Sequence, residues 1–399
     1  MNKKFVKVMA LAMAVMTSAA VFASCGKTGD SDAETTATAS GEGSGTAATI
    51  KIGSIGPTTG DAAIYGSAVF NGIKIAVEEI NALGGDIQFE FKGEDDVADS
   101  ETAVNAYNNL LDWGMQILVG PVTTGSAIAV SAKTAEDGVF MLTPSASSTD
   151  VINGKDNAFQ VCFTDPNQGT GSADYIAENM AGKKVAVIYR NDDAYSQGIR
   201  DTFIAEAKTK NIDVVYEGSF TKDTATDFSV QLTAAQSANA EVVFLPIYYQ
   251  PASVILSQAA TIGYTPTFFG VDGMDGILTM EGFDAKLAEG VMLLTPFSAD
   301  ASDERTQSFV KKYQELYKDV PNQFAADGYD GVYVVYEALK QAGCTADMSA
   351  QDLCEKLTAA MTQIKVDGLT GEGMSWTATG EVSKAPRAVV IKDGAYVGA

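Results

Sequence analysis

Short apolar runs alternate with longer amphipathic windows from Thr49 to the end of the chain. Apolar runs bounded by Gly, Pro or polar residues are typical of buried strands. Apolar residues that recur every three or four positions are typical of a helix with one buried face. The window 69–83 has the helical spacing, with apolar residues at 69, 70, 73, 76, 77, 80 and 83, and Gly84-Gly85 ends it. The regular alternation of the two patterns predicts an α/β fold.

The predicted elements fall into two consecutive groups. Strands are expected at 49–57, 86–91, 115–121 and 139–144 in the first group, and at 183–190, 213–220, 241–249, 267–273 and 290–297 in the second. Helices are expected at 69–83, 100–113 and 125–136, and then at 197–210, 227–238, 251–262, 303–317 and 328–342. This alternation favours two open parallel sheets with helices on both faces. The dipeptide Asp393-Gly394 predicts the turn of a final hairpin.

The first 24 residues have the pattern of a secretory signal peptide, in which a short basic stretch precedes the uncharged run 8–24. The segment Phe22-Ala23-Ser24-Cys25 resembles the lipobox of bacterial lipoproteins, although Phe22 replaces the usual Leu. That resemblance implies that Cys25 becomes the lipid-modified first residue of the mature protein. The alternative is ordinary cleavage beside an unmodified cysteine. Residues 25–48 are rich in Gly, Ser, Thr and Ala, which predicts a flexible linker between the lipid and the folded part.

Composition narrows the classes of function. The chain has 51 acidic residues, 27 basic residues and no histidine. The missing histidine excludes His-based catalytic triads and His-ligated zinc, and acidity without a compact basic patch argues against a nucleic-acid partner. No phosphate-binding glycine loop and no metal-ligand spacing occurs in the sequence, so neither a cofactor nor a metal is expected. In an exported protein, Cys344 and Cys354 form a disulfide or stay two separate thiols, and the sequence leaves both alternatives open.

The residues that follow the strands supply the candidate binding chemistry, because ligands of open α/β sheets lie beyond the carboxyl ends of the strands. In the first group, the hydroxyl-rich segments 120–126 and 143–148 lie at predicted helix starts, where unpaired N–H groups suit a small carboxylate. Plain N-capping is the alternative. In the second group, Tyr195, Tyr248 and Asp272 follow strands and suit an ammonium group. Core packing or a turn is the alternative for these residues.

These segments resemble the type I periplasmic binding proteins of ABC importers, in particular the branch that binds Leu, Ile and Val. The resemblance runs from Thr49 to the C-terminus and depends on the order and spacing of several motifs. The motifs are I-G-P-T-T-G-D (55–61), Y-G (65–66), N-G-I-K-I-A-V-E-E-I-N-A-L-G-G (71–85), G-P-V-T-T-G-S (120–126), T-P-S-A-S-S (143–148), C-F-T-D-P-N-Q-G (162–169) and G-Y-D-G-V-Y (328–333).

The resemblance implies two Rossmann-like lobes, each a parallel sheet flanked by helices, joined by three crossovers. By that pattern one lobe comprises 49–165 and 293–383, and the other comprises 166–292 and 384–399. The implied ligand-binding residues are Tyr65, Thr124, Ser145, Ser147, Tyr195, Tyr248 and Asp272. In the family, hydroxyls after the third and fourth strands hold the carboxylate of the ligand, and an acidic residue at the position of Asp272 pairs with its ammonium group. The branched-chain prototype has Glu there, so the shorter side chain leaves the identity of the ligand open.

The resulting hypothesis is an extracytoplasmic, lipid-anchored solute-binding protein that is not an enzyme. It captures an amino acid, branched-chain or related, between two lobes and delivers it to the permease subunits of an ABC importer. Its place is the outer face of the cell membrane, or the periplasm if the cell is Gram-negative. Two alternatives stay open. One is a sensory receptor for amides or other small solutes on the same fold, and the other is a secreted hydrolase that uses carboxylates alone.

Overall fold

The computed structural model describes residues 48–399 of the chain. The strands of this part form two β-sheets. The predicted signal peptide 1–24, the predicted lipid-anchor residue Cys25 and the linker up to residue 47 lie outside the described residues. Among the helices of the described part, none is long and apolar enough to cross a membrane.

The first sheet has five parallel strands in the order β2-β1-β3-β4-β5. They are β1 (Ile50–Ile55), β2 (Phe89–Glu94), β3 (Ile117–Val119), β4 (Phe140–Thr143) and β5 (Ala158–Gln160). The helices that follow the first three strands are α1 (Ala63–Ala82), α2 (Ser100–Trp113) and α3 (Thr124–Asp137). Strands β3 and β4 are buried along their whole length, as expected where helices cover both faces of a parallel sheet. This burial explains their continuous apolar runs.

The second sheet has seven strands in the order β12-β11-β10-β9-β8-β6-β7. Its parallel strands are β6 (Lys184–Arg190), β7 (Asp213–Phe220), β8 (Val242–Leu245), β9 (Thr267–Gly270) and β10 (Met292–Thr295). The antiparallel pair β11 (Arg387–Lys392) and β12 (Ala395–Gly398) extends one edge. The accompanying helices are α4 (Asp165–Asn179), α5 (Ala194–Thr209), α6 (Ser229–Ser237) and α7 (Tyr249–Thr261). Asp393 and Gly394 have φ angles of 51° and 75°, as a two-residue hairpin turn requires, so the predicted hairpin is confirmed.

The last three helices return to the first sheet. They are α8 (Glu304–Tyr317), α9 (Gln323–Ala342) and α10 (Ala350–Met361). Helix α9 packs along α1, and α10 packs against β4. The backbones of α1 and α9 approach closely at two glycines: a Cβ atom on Gly72 would overlap the carbonyl of Ala325, and one on Gly328 would lie 2.6 Å from the carbonyl oxygen of Val69. We call the first sheet with α1–α3 and α8–α10 the first lobe, and the second sheet with α4–α7 the second lobe.

The chain passes between the lobes three times: after β5, after β10 and before β11. The third passage is anchored by a buried charge pair. Lys384 Nζ lies 3.0 Å from Asp327 Oδ1 on α9 and donates a hydrogen bond of 2.6 Å to Thr370 Oγ1. The second passage follows Thr295, so the start predicted for the returning segment, at residue 293, lies inside β10.

The predicted fold class is confirmed, and the differences concern the ends of some elements and three elements that were not predicted. Helix α9 begins five residues earlier than predicted, because the side chain of Asn322 accepts a hydrogen bond from the N–H of Ala325 and caps the helix there. Strand β2 lies three residues later than predicted. The side chain of Asn81 bonds both the N–H and the carbonyl of Phe89, at 2.8 and 2.9 Å, and so fixes where the strand starts. The short strand β5, the glycine-containing helix α4 and helix α10 were not predicted.

Candidate functional site

The loops that follow β3 and β4 are tied together by two side-chain hydroxyls. Thr143 donates from Oγ1 to the carbonyl of Pro121 at 2.6 Å, and Ser145 donates from Oγ to the carbonyl of Val122 at 2.7 Å. All four residues are buried. The two loops therefore form one rigid surface that leads into α3. The hydroxyl proton of Ser145 is engaged within the protein.

Two other hydroxyls on this surface are buried without such engagement. The side chains of Thr124 and Ser147 have no hydrogen-bond partner within residues 48–399, and these residues are 1% and 0% exposed. Thr124 is the first residue of α3, where backbone N–H groups lack partners inside the helix and the helix dipole is positive. A buried polar group without a partner calls for a physical explanation. Hydrogen bonds to a ligand carboxylate are the explanation that fits these two positions.

Asp272 supplies a buried carboxylate on the second lobe, directly after β9. Its Oδ1 accepts a hydrogen bond of 2.5 Å from the hydroxyl of Tyr195, which lies in the first turn of α5. The backbone N–H of Asp272 donates to Gln168 Oε1 at 3.1 Å. Burial raises the pKa of Asp272 to about 7, although the Tyr195 hydrogen bond opposes the shift. Asp272 is therefore a carboxylate that a cationic group would stabilise in its ionised form.

Three tyrosines surround this carboxylate. The ring centroid of Tyr248 lies 4.8 Å from that of Tyr195 and 5.3 Å from that of Tyr65. Tyr65 belongs to α1 of the first lobe, yet its hydroxyl donates to the carbonyl of Gly273 and accepts from the N–H of Tyr249 at 3.2 Å. The structure thus brings Tyr65, Tyr195, Tyr248 and Asp272 together at the surface where the lobes meet.

Asp165 and Gln168, which the sequence interpretation did not select, complete the site. Both carboxylate oxygens of Asp165 and the Nε2 of Gln168 lack hydrogen-bond partners among the described residues, and both side chains are buried. Burial raises the pKa of Asp165 well above its usual value, the nearby Ser147 hydroxyl opposes that shift, and the charge of Asp272 adds to it. The backbone N–H of Asp165 also donates to the carbonyl of Ser147 at 2.9 Å, so Asp165 lies beside one of the hydroxyl-bearing residues of the first lobe. The sequence signal for these two residues is the segment T-D-P-N-Q-G (164–169), which belongs to one of the motifs of the family resemblance.

The arrangement offers opposite chemistry on its two sides. Hydroxyls and helix N–H groups of the first lobe suit an anionic group, and the carboxylate and phenols of the second lobe suit a cationic one. A small zwitterion has both. The described residues contain no cluster of three or more side chains of the types that ligate metals. Among them, Cys162, Cys344 and Cys354 are free and buried, so the disulfide considered for Cys344 and Cys354 is not formed in this structure.

The sequence comparisons agree with this chemistry. A profile of the family described as periplasmic binding protein matches residues 49–395. The Leu/Ile/Val-binding protein homolog 3 of Brucella melitensis is 33% identical over 314 residues, which cover 76% of this chain and 82% of the relative. The leucine-, isoleucine-, valine-, threonine- and alanine-binding protein of Pseudomonas aeruginosa is 28% identical, with 74% and 79% covered.

Solved structures have the same architecture. The leucine-binding protein LivK of Thermotoga maritima matches with a TM-score of 0.79 and 27% identity, covering 88% of this chain and 98% of its own. The branched-chain amino-acid transporter substrate-binding protein LivJ of Streptococcus pneumoniae, solved in complex with isoleucine, matches with a TM-score of 0.79 and 27% identity. That match covers 87% of this chain and 97% of the LivJ chain.

Proposed function

Since this chain belongs to the periplasmic binding protein family, we propose that it captures an amino acid, branched-chain or related, between its lobes and delivers it to an ABC importer. The named relatives are binding proteins, and the family implies a place outside the cytoplasm. They give no support to a sensory role or to a carboxylate-dependent hydrolase.

The observation that carries the proposal is the pairing of opposite chemistries across the lobes. The ammonium group of the ligand would pair with Asp272, which Tyr195 orients. Its carboxylate would accept hydrogen bonds from Thr124, from Ser147 and from the first N–H groups of α3. Because these groups are buried, each charged hydrogen bond is stronger than it would be in water.

The side chain of the ligand would then lie against the tyrosines. Tyr65, Tyr195 and Tyr248 present aromatic surface next to Asp272, and aromatic rings bury apolar groups well while keeping a polar tip. An apolar amino-acid side chain is the natural occupant of such a surface. We therefore expect Leu, Ile and Val to bind more tightly than amino acids with charged side chains.

Calorimetric titration of the purified protein with each of the twenty amino acids tests this function. Asp272→Asn should lower the affinity for the amino acid at least about 30-fold, because it removes one partner of a buried charge pair. Thr124→Val, which keeps the shape of the side chain, should lower the affinity about tenfold. Failure of the unaltered protein to bind any of the twenty would contradict the proposal, as would wild-type affinity in Asp272→Asn.

We propose further that Cys25 carries the lipid that holds the protein at the membrane. The support is the sequence alone: an apolar leader, the lipobox-like Phe22–Cys25 and a polar linker. Mass spectrometry of the mature N-terminus should find diacylglyceryl-modified Cys25. Cys25→Ser should leave the protein in the soluble fraction. An unmodified Cys25 in the mature unaltered protein would contradict the proposed lipid anchor.

A further inference from the structure

The turn that carries Asp272 also contacts the first lobe. This turn, residues 272–276, follows β9. Its Gly273 carbonyl accepts from the hydroxyl of Tyr65 on α1, and its Asp272 carbonyl accepts from Gln323 Nε2 on α9 at 3.1 Å. A third contact joins Asp275 Oδ2 to the backbone N–H of Gln323 at 2.8 Å. One short turn of the second lobe is thus bonded to the starts of two helices of the first lobe.

The contact made by Asp275 has a specific physical reason. The first N–H groups of a helix have no partner inside the helix, and the dipole there favours a negative charge. At the start of α9, the side chain of Asn322 accepts from Ala325 N–H, and Asp275 accepts from Gln323 N–H. Asp275 and Gln323 are 2% and 1% exposed. Asp275 therefore caps a helix of the opposite lobe, in a setting from which water is excluded.

We propose that Asp275 is a positioning residue that couples capture of the ligand at Asp272 to docking of the two lobes. It does not contact the ligand; it acts through Gln323, whose backbone bonds Asp275 and whose side chain bonds the carbonyl of Asp272. When the lobes dock, this pair of bonds holds the turn, and with it Asp272, in place. The proposal rests on the function proposed above, because it takes Asp272 as the ammonium partner.

Hydrogen exchange tests the contact without any ligand. In the full-length protein, the Gln323 amide should exchange slowly, because it is buried and donates to Asp275 at this helix end. Asp275→Ala should speed that exchange at least about tenfold, the loss expected for a hydrogen bond to a charged group. Asp275→Asn keeps an acceptor oxygen and should stay closer to the unaltered protein. If Asp275→Ala folds poorly, exchange at Gln323 is measured in Asp275→Asn in its place.

Asp96→Ala is the matched control for this measurement. Asp96 is also a buried aspartate with one oxygen bonded to a backbone N–H, that of Ala98 at 3.0 Å, and one oxygen without a partner among the described residues. That bond lies wholly within the first lobe. Asp96→Ala should leave exchange at Gln323 unchanged. Equal exchange at Gln323 in the unaltered protein and in Asp275→Ala would overturn the proposal.

Ligand kinetics test the coupling. With leucine, isoleucine and valine as probes in stopped flow, Asp275→Ala should raise the dissociation rate about tenfold and change the association rate little, since docking follows encounter. A dissociation rate equal to that of the unaltered protein would overturn the coupling. If the unaltered protein binds none of the three, that result counts against the proposed function. Hydrogen exchange at Gln323 still decides whether Asp275 holds the lobes together.

Discussion

At the scale of single residues, hydrogen-bond partners separate side chains that hold the fold from those available to a ligand. Ser145 and Ser147 are two positions apart in one loop, and the family resemblance gave both the same role. The structure distinguishes them, because Ser145 donates to the carbonyl of Val122 while the Ser147 hydroxyl has no partner within residues 48–399. Spacing along the sequence does not contain this difference, because it depends on where a neighbouring loop lies.

The two serines give a paired prediction. Ser145→Ala should lower the free energy of unfolding by about 1–2 kcal/mol, because the Val122 carbonyl loses its side-chain donor. Ser147→Ala should leave stability nearly unchanged and lower the affinity for the amino acid about tenfold. Urea unfolding and calorimetric titration of both variants check this. A loss of affinity confined to Ser145→Ala would contradict the assignment.

Asp272 predicts how binding depends on pH. Its pKa is raised to about 7 by burial, so it is largely protonated below pH 7 in the free protein. An ammonium group favours the ionised form, so binding must release that proton. Affinity should therefore fall as the pH decreases from 7 to 5, by up to about tenfold per unit, and should level off above pH 8. Titrations in buffers of different ionisation enthalpy should show proton release. An affinity independent of pH between 5 and 8 would contradict the role of Asp272.

At the scale of elements, apolar periodicity located most strands and helices, whereas element ends depended on polar side chains. Helix 100–113 has the bounds that were predicted, and in the structure Asp99 caps it and Gly114 ends it in a left-handed conformation. The earlier start of α9 depends on Asn322, which caps Ala325 three residues on, and the shift of β2 depends on Asn81, which bonds Phe89 eight residues on; apolar periodicity contains neither bond. Asp165 was not predicted for a different reason: its burial beside Ser147 arises only when distant segments of the chain pack together.

The contact between α1 and α9 predicts an effect of one methyl group. Gly72→Ala should lower the free energy of unfolding by about 1–3 kcal/mol or more, because the added Cβ would overlap the Ala325 carbonyl and force the helices apart. Gly85→Ala is the control: its Cβ would meet nothing within 4 Å, so stability should change by less than about 0.5 kcal/mol. Equal stabilities of the two variants would show that α1 and α9 separate without cost.

At the scale of the whole molecule, several buried carboxyl groups share one direction of pKa shift. Burial raises the pKa of Asp96 and of Asp275 to about 6, and that of Asp272 to about 7. In the unfolded chain these groups titrate near the ordinary value of about 4. Between pH 4 and pH 7 the folded protein therefore binds more protons than the unfolded chain, so folding is favoured by added protons in this range.

The resulting prediction concerns stability and pH. The free energy of unfolding should rise as the pH is lowered from 8 to 5, with Asp272 contributing about 2–3 kcal/mol and Asp96 and Asp275 each contributing about 1 kcal/mol. Below about pH 4 the trend should reverse, because the pKa values of capping residues such as Asp303 are lowered by hydrogen bonds and those bonds are lost on protonation. Thermal unfolding from pH 3 to pH 8 checks the curve. A melting temperature that falls steadily from pH 8 to pH 5 would contradict it.

The packing of α1 against α9 also constrains when the protein can fold. The residues in contact, such as Val69 and Gly328, are 259 positions apart, so the apolar face of α1 stays uncovered until most of the chain has been synthesised. The second sheet likewise gains β11 only from residues 387–392. Fragments that end before residue 323 should therefore fail to fold cooperatively and should aggregate through α1. Late packing of α9 on the first lobe and late pairing of β11 in the second sheet therefore delay cooperative folding, which suits a member of a family that works outside the cytoplasm.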